Sequence, residues 1–223
     1  MKRSIATLII FAIAGPACFA QFPTAAEIKK LKIKKITATT KDNASSDAAT
    51  VLTYYDANGN DTAKYTNGVR SSYQKITYDA KQRPLTIAIY SGGDRQTETT
   101  TFTYKTDGSS TAVNADVQFG LKNNYVYDSK GRLTQLTIPD GTAIKYVYNG
   151  KGLLTKEYSV PRNDGVKFST VYTYNAKNKL ILSKRTGDYA SSTRYEYDSK
   201  GLMNKMQSTN GEQSSVTTYE YGY

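Results

Sequence analysis

The sequence predicts an all-β protein, an antiparallel meander of β-hairpin repeats of about 23 residues that curls into an open curved sheet or a partial barrel or shell. Three observations carry this. The motif Tyr-x-Tyr-Asp-x-x-Gly recurs along the 223 residues, with its clearest copies at Tyr125–Gly131 and Tyr195–Gly201. Apolar and aromatic residues around each copy alternate with period two. Glycine or a Gly/Asn/Asp cluster punctuates the chain between copies, and the repeat region keeps no 3.6-residue period.

Taking the second tyrosine of each copy as an anchor, anchors fall at Tyr55, Tyr78, Tyr104, Tyr127, Tyr148, Tyr174, Tyr197 and Tyr221, at intervals of 21 to 26 residues. Two residues earlier stand Thr53, Ile76, Phe102, Tyr125, Tyr146, Tyr172, Tyr195 and Tyr219, which share the anchor's face. The residues between them (Tyr54, Thr77, Thr103, Val126, Val147, Thr173, Glu196 and Glu220) form the opposite, wetter face. The turn follows the anchor: Asp56, Asp79, Asp128, Asn149, Asn175 and Asp198 can bond the backbone ahead of them. Gly59, Gly108, Gly131, Gly152, Asn178 and Gly201 end the loop where a left-handed residue is needed, with Gln82 the misfit. Return strands begin at Arg132, Leu153, Lys179 and Leu202, and second turns fall at Pro139–Gly141, Arg162–Gly165, Thr186–Asp188 and Asn210-Gly211.

These residues resemble the YD repeat of RHS proteins, with the signature Tyr-x-Tyr-Asp-x-x-Gly-Arg-Leu. Tyr125 to Leu133 match it throughout, Tyr195 to Gly201 match it up to the glycine, and the resemblance spans about residues 51–223. It implies a spiralling β-sheet scaffold, which in large family members wraps a toxin or other cargo. Eight units are too few for that, and no toxin domain is expected after the last one, so a short secreted stand-alone version of the repeat, of the kind common in Bacteroidetes-like bacteria, is the nearer comparison. The first and third units depart from the pattern, with Asn60-Asp61 and Ser109-Ser110 where Arg-Leu is expected. A MORN-2-type repeat fits Tyr54–Gly59 but not the other units.

Residues 1–20 read as a secretory signal peptide: Lys2 and Arg3, the apolar run Ile5–Ala14, then a Cys18-Phe19-Ala20 cleavage site. A lipoprotein signal acylated at Cys18 is the second reading, disfavoured by Gly15 three residues earlier. Residues 21–31 are expected to form a linker or short helical turn opened by the capping box Thr24–Glu27, and residues 32–223 the repeat domain. Loss of Lys2 and Arg3 takes the net charge from +11 to +9. The cluster Lys29, Lys30, Lys32, Lys34 and Lys35, alternating with Leu31 and Ile33, reads as a first strand with lysines protecting a sheet edge, and secondarily as a contact for an anionic surface.

The chain has no histidine, and its one cysteine is Cys18. Zinc centres and His-dependent nucleophilic catalysis are therefore excluded on composition. Asp56–Asp61 has its glycine misplaced for an EF-hand and reads as a polar turn. The aspartates serve the turns and the glutamates show no paired spacing, so no catalytic residue, metal or cofactor is assigned. Anchor tyrosines read as structural; the tyrosines out of phase (Tyr65, Tyr73, Tyr90, Tyr158 and Tyr189) are the candidate ligand-binding residues, since aromatic faces stack on pyranose rings. The expected function is a secreted, non-catalytic scaffold that binds a glycan or protein partner at the bacterial envelope or surface, periplasmic or extracellular, with no specific nucleic-acid recognition. The alternatives are a small outer-membrane β-barrel, prompted by the alternating terminal Tyr219–Tyr223, and a glycan-active enzyme using carboxylates.

Overall fold

The computed structural model describes residue 23 and residues 25–223, apart from residues 44–47, 58, 60, 82 and 92–93. The signal-peptide reading, Thr24 of the capping box and Gln82 lie outside the described residues. A short helix, α1 (Ala25–Leu31), precedes sixteen strands: β1 (Lys35–Asp42), β2 (Ala48–Tyr55), β3 (Asp61–Thr66), β4 (Val69–Tyr78), β5 (Pro84–Ser91), β6 (Gln96–Tyr104), β7 (Ser110–Asp116), β8 (Lys122–Tyr127), β9 (Leu133–Thr137), β10 (Ala143–Tyr148), β11 (Leu154–Val160), β12 (Phe168–Tyr174), β13 (Leu180–Gly187), β14 (Ser191–Tyr197), β15 (Met203–Asn210) and β16 (Gln213–Gly222). Each strand pairs antiparallel with its sequence neighbours, and β1 pairs with β16 over the register Lys35↔Gly222 to Asp42↔Ser215. The meander therefore closes completely into a barrel.

Closure corrects the reading of the lysine cluster. Strand β1 is hydrogen-bonded on both sides, to β2 and β16, and has no edge to protect. Lys29 and Lys30 belong to α1, and the strand begins only at Lys35. The run Ala-Ala-Glu-Ile-Lys-Lys-Leu is rich in strong helix formers, and three-residue spacing sets Ile28 and Leu31 on one face. Both pack into the core, Ile28 buried and Leu31 partly so. Lys32 then adopts φ 54°, which turns the chain out of the helix.

The barrel is a single sheet, so the face on which side chains of many neighbouring strands are jointly buried is the concave one. One buried cluster joins Ile87, Phe102, Ala112, Tyr125, Tyr127, Leu133 and Leu136 across β5 to β9. The other joins Ile36, Leu180, Tyr195, Leu202, Met203 and Tyr219 with Ile28 and Ile33 from the α1 segment. Both hold residues at the anchor position, two before it or six after it, so this repeat phase lines the inside. Seven anchor tyrosines end strands at one rim, here called the YD end, and Tyr221 stands one residue before the end of β16 at the same rim. Segment α1 lies at that end: Lys34 N–H donates to the Gly222 carbonyl (2.8 Å), Tyr55 N–H donates to the Lys34 carbonyl (3.0 Å), and Glu27 meets Lys179 at 3.3 Å.

Towards the opposite end the inner positions turn polar and pair with one another. Thr40 and Thr217 hydroxyls meet at 2.8 Å, Ser183 and the Tyr195 hydroxyl at 3.1 Å, and Asn114 donates to Glu98 and Thr100 at 3.1 and 3.0 Å. The barrel thus has an aromatic–aliphatic layer near one mouth and a polar interior beyond it.

Candidate functional site

The repeat signature builds a grip between successive hairpins. In the unit of Tyr127, Asp128 Oδ1 accepts from the N–H groups of Lys130 and Arg132, both at 2.9 Å, while Gly131 takes φ 74° to close the turn. Asp128 Oδ2 then pairs with Arg132 at 2.6–2.7 Å, and the Arg132 guanidinium lies 4.9 Å from the centre of the Tyr148 ring, the next anchor. The Tyr148 hydroxyl donates to the Leu133 carbonyl at 2.8 Å. Asp79, Arg83 and Tyr104 repeat the arrangement, with Arg83 4.0 Å from the ring centre and the Tyr104 hydroxyl donating to Pro84. Tyr174, Tyr197 and Tyr221 donate in the same way to Leu154, Leu180 and Met203. Tyr78 stays exposed, because the preceding unit offers Asp61 at the corresponding place and Asp61 engages Lys64 and Gln74.

Electrostatics follow this division. Burial first, then neighbouring acidic groups, pushes the phenols of Tyr125, Tyr197 and Tyr219 up to about 12. The Asp79 carboxyl is held below its usual range, first by the Arg83 backbone N–H. At Asp128 burial pushes upward, but hydrogen bonds from Arg132 and Lys130 outweigh it and hold the carboxyl low. These carboxylates are committed to their turns.

On the outer wall a different set of residues gathers. Tyr73 on β4 sits directly opposite Tyr90 on β5, and the rings stack at 4.8 Å and 9°. The Arg70 guanidinium lies 4.3 Å from the Tyr73 ring centre, and Lys75 Nζ lies 4.9 Å from that of Tyr90 and 6.0 Å from that of Tyr73. One strand further, Tyr54 and Tyr65 meet edge to face at 5.7 Å. Register places all six residues on the outer face of β2 to β5.

Of the out-of-phase tyrosines, then, Tyr65, Tyr73 and Tyr90 come together. Tyr158 faces outward on β11 beside Lys156, and Tyr189 is an exposed turn residue between β13 and β14, beyond Arg185. Tyr54, Arg70 and Lys75 were not singled out by sequence. Tyr54 carries a signal: it is an aromatic residue at a wet-face position that holds Thr, Val or Glu in the other units.

Among the carboxylates, Glu157 is distinct. It lies on the inner face, opposite Tyr146 and Thr170. Burial pushes its carboxyl up, opposed by the neighbouring Thr170 and Tyr172 hydroxyls and by Arg185. Its surroundings are hydroxyls and a guanidinium rather than a second carboxylate. Among the described residues no group of three or more His, Cys, Asp or Glu side chains is arranged to hold a metal ion.

One solved structure shares the overall fold. A porin-like protein from Bacteroides uniformis ATCC 8492 aligns with a TM-score of 0.51 at 12% identity, over 93% of this chain and 100% of that one. The Photorhabdus luminescens Tc holotoxin pore aligns over 75% of this chain and 10% of that chain, with 14% identity and a TM-score of 0.33. A TcdB2–TccC3 complex aligns over 80% and 14%, with 11% identity and a TM-score of 0.33. No curated protein matches the chain. A model of uncharacterised proteins matches residues 119–223. The model described as Teneurin YD-shell matches residues 54–169, half of the chain, over the units of Tyr55 to Tyr148, and the chain belongs to this YD-shell family.

Proposed function

We propose that this protein is an exported, non-catalytic scaffold of the bacterial envelope or cell surface that binds an acidic glycan on the outer wall of β2 to β5. The observation that carries the reading is the patch of Tyr54, Tyr65, Tyr73 and Tyr90 with Arg70 and Lys75 on one sheet face. Tyr54, 41% exposed, offers ring surface to the C–H face of a sugar, and the cations that the stacked Tyr73 and Tyr90 hold over their rings match carboxylate or sulfate substituents. Membership of a shell-forming repeat family accords with a scaffold role.

Two features weigh against the alternatives. The outer wall carries Lys145, Lys156, Lys184, Arg194, Glu196 and Lys205 within its strands. A lipid-facing wall would bear about 2–4 kcal/mol for each Lys or Arg near the bilayer midplane. Most strands are also shorter than the 9–11 residues that span a membrane. Hydrolysis by paired carboxylates lacks support, since Glu157 faces Thr170, Tyr172 and Arg185.

The test is a glycan array probed with the purified protein, followed by titration of the best saccharide. Tyr73→Ala and Tyr90→Ala are each expected to weaken binding by about tenfold, or ~1.4 kcal/mol, with the barrel intact by circular dichroism. Binding of no saccharide, or binding indifferent to both substitutions, contradicts the reading and favours a protein partner.

A further inference from the structure

Barrel closure has a consequence for charge that the linear sequence conceals. The residue three after the anchor, at the tip of each YD turn, is Lys81, Lys130, Lys151, Lys177 or Lys200 in five units. All five are exposed. Because every YD turn sits at the same mouth of a closed barrel, these lysines form a ring around that mouth. Segment α1 lies at this mouth and adds Lys29, Lys30, Lys32 and Lys34, all exposed.

The acidic residues at this end offset the ring only in part. Asp79 and Asp128 are paired with Arg83 and Arg132 of their own turns, Asp107 accepts from Ser109, and Asp198 accepts from the Leu202 N–H. Glu27 is paired with Lys179. Asp56 sits in the first turn and Glu220 on the outer face of β16 near the rim. Lysine ammonium groups, carried on long stems, therefore supply the charge at five turn tips, with Asp107 at a sixth.

We infer that the YD end docks flat onto an anionic lipid bilayer, with the turn lysines and the α1 lysines contacting headgroup phosphates. The shape selects the occupant. A ring of cations around one barrel mouth can meet a planar array of phosphates at many points, whereas a narrow polymer strand would touch only a few. Such contacts add across basic residues near the surface and are weakened by salt. This docking face is separate from the wall of β2 to β5, so neither reading depends on the other.

The experiment is co-sedimentation of the full chain with vesicles of phosphatidylcholine alone or with about one-third phosphatidylglycerol, at low and high salt. The ring variant carries Lys81→Gln, Lys130→Gln, Lys151→Gln, Lys177→Gln and Lys200→Gln. Asp107 at the same turn position shows that a lysine is not needed to form the turn. The control removes equal charge from the wall through Lys41→Gln, Lys145→Gln, Lys156→Gln, Lys184→Gln and Lys205→Gln. Expected are salt-sensitive binding to the anionic vesicles alone, a fall of at least about tenfold in the ring variant, and a change under about threefold in the wall variant. Should the ring variant not fold, the five single substitutions must each reduce binding. Equal losses in ring and wall variants, equal binding to both vesicle types, or binding to a soluble sulfated polysaccharide with none to vesicles overturns the inference.

Discussion

The Tyr148 hydroxyl donates a 2.8 Å hydrogen bond to the Leu133 carbonyl, and this contact joins one hairpin to the next. It also explains why the repeat signature ends in Arg-Leu: Arg132 covers the Tyr148 ring while Leu133 supplies the acceptor and a buried side chain. Tyr148→Phe keeps the ring and removes the hydrogen bond. It is expected to cost about 1 kcal/mol, whereas Leu133→Ala, which empties a buried site, is expected to cost about 2–5 kcal/mol. Urea unfolding midpoints of the two variants give the comparison. A Phe variant as damaged as the Ala variant would refute this ranking.

Three glycines separate conformational strain from steric fit. An added Cβ at Gly150 meets nothing within 4 Å, and the residue needs no positive φ. At Gly131 the surroundings are equally open but φ is 74°. At Gly187 φ is 85° and a Cβ would approach the Lys167 carbonyl oxygen to 2.4 Å. Substitution by alanine should be nearly neutral at Gly150, cost about 1–2 kcal/mol at Gly131, and cost most at Gly187. Melting temperatures in that order are the expected result.

Alkaline pH probes the inner aromatic layer. The phenols of Tyr125, Tyr197 and Tyr219 have folded values near 12, above the value of about 10 in an unfolded chain. The folded state therefore holds protons that the unfolded state releases. This contribution to stability is full below pH ~10 and is lost as pH rises towards 12. Phenolate absorbance near 295 nm should show a late phase that coincides with loss of β-sheet circular dichroism. Complete ionisation near pH ~10 with the sheet intact would show that these rings are not buried.

The α1 segment packs against β1 and β13 to β16 at one mouth of the barrel, and Ile28 and Ile33 are its buried contacts, at 3% and 2% exposure. Ile28→Ala and Ile33→Ala should each destabilise by about 2–4 kcal/mol. Hydrogen exchange should then rise at the strand ends nearest Leu180, Leu202 and Met203. Substitutions without effect would detach the helix from the core.

Much of the fold was legible because it is local. Strand alternation put Tyr125 and Tyr127 on one face and Val126 on the other, and turn chemistry placed Gly131 and Asn178 at positive φ. Closure was not legible, since the pairing of β1 with β16 joins residues far apart in sequence through backbone groups that every residue carries. Leu31 and Ile33 looked like strand alternation because a helix that ends between them mimics a period of two over so short a stretch. The gathering of Tyr65, Tyr73 and Tyr90 depends on cross-strand register, including a bulge between Lys64 and Tyr65. Arg70 and Lys75 had no sequence signal apart from their charge.

The closed barrel underlies both the inner aromatic layer and the ring of turn lysines, and one cross-link tests it. Thr40 on β1 and Thr217 on β16 lie opposite each other, with hydroxyl oxygens 2.8 Å apart and 177 positions between them in the chain. Thr40→Cys with Thr217→Cys, combined with Cys18→Ser so that no other thiol is present, should form an intramolecular disulfide on mild oxidation. Non-reducing electrophoresis should show a faster-migrating monomer, and peptide mapping should link residues 40 and 217. Two free thiols, or only disulfide-linked dimers, under conditions in which the variant keeps its β-sheet spectrum would contradict closure.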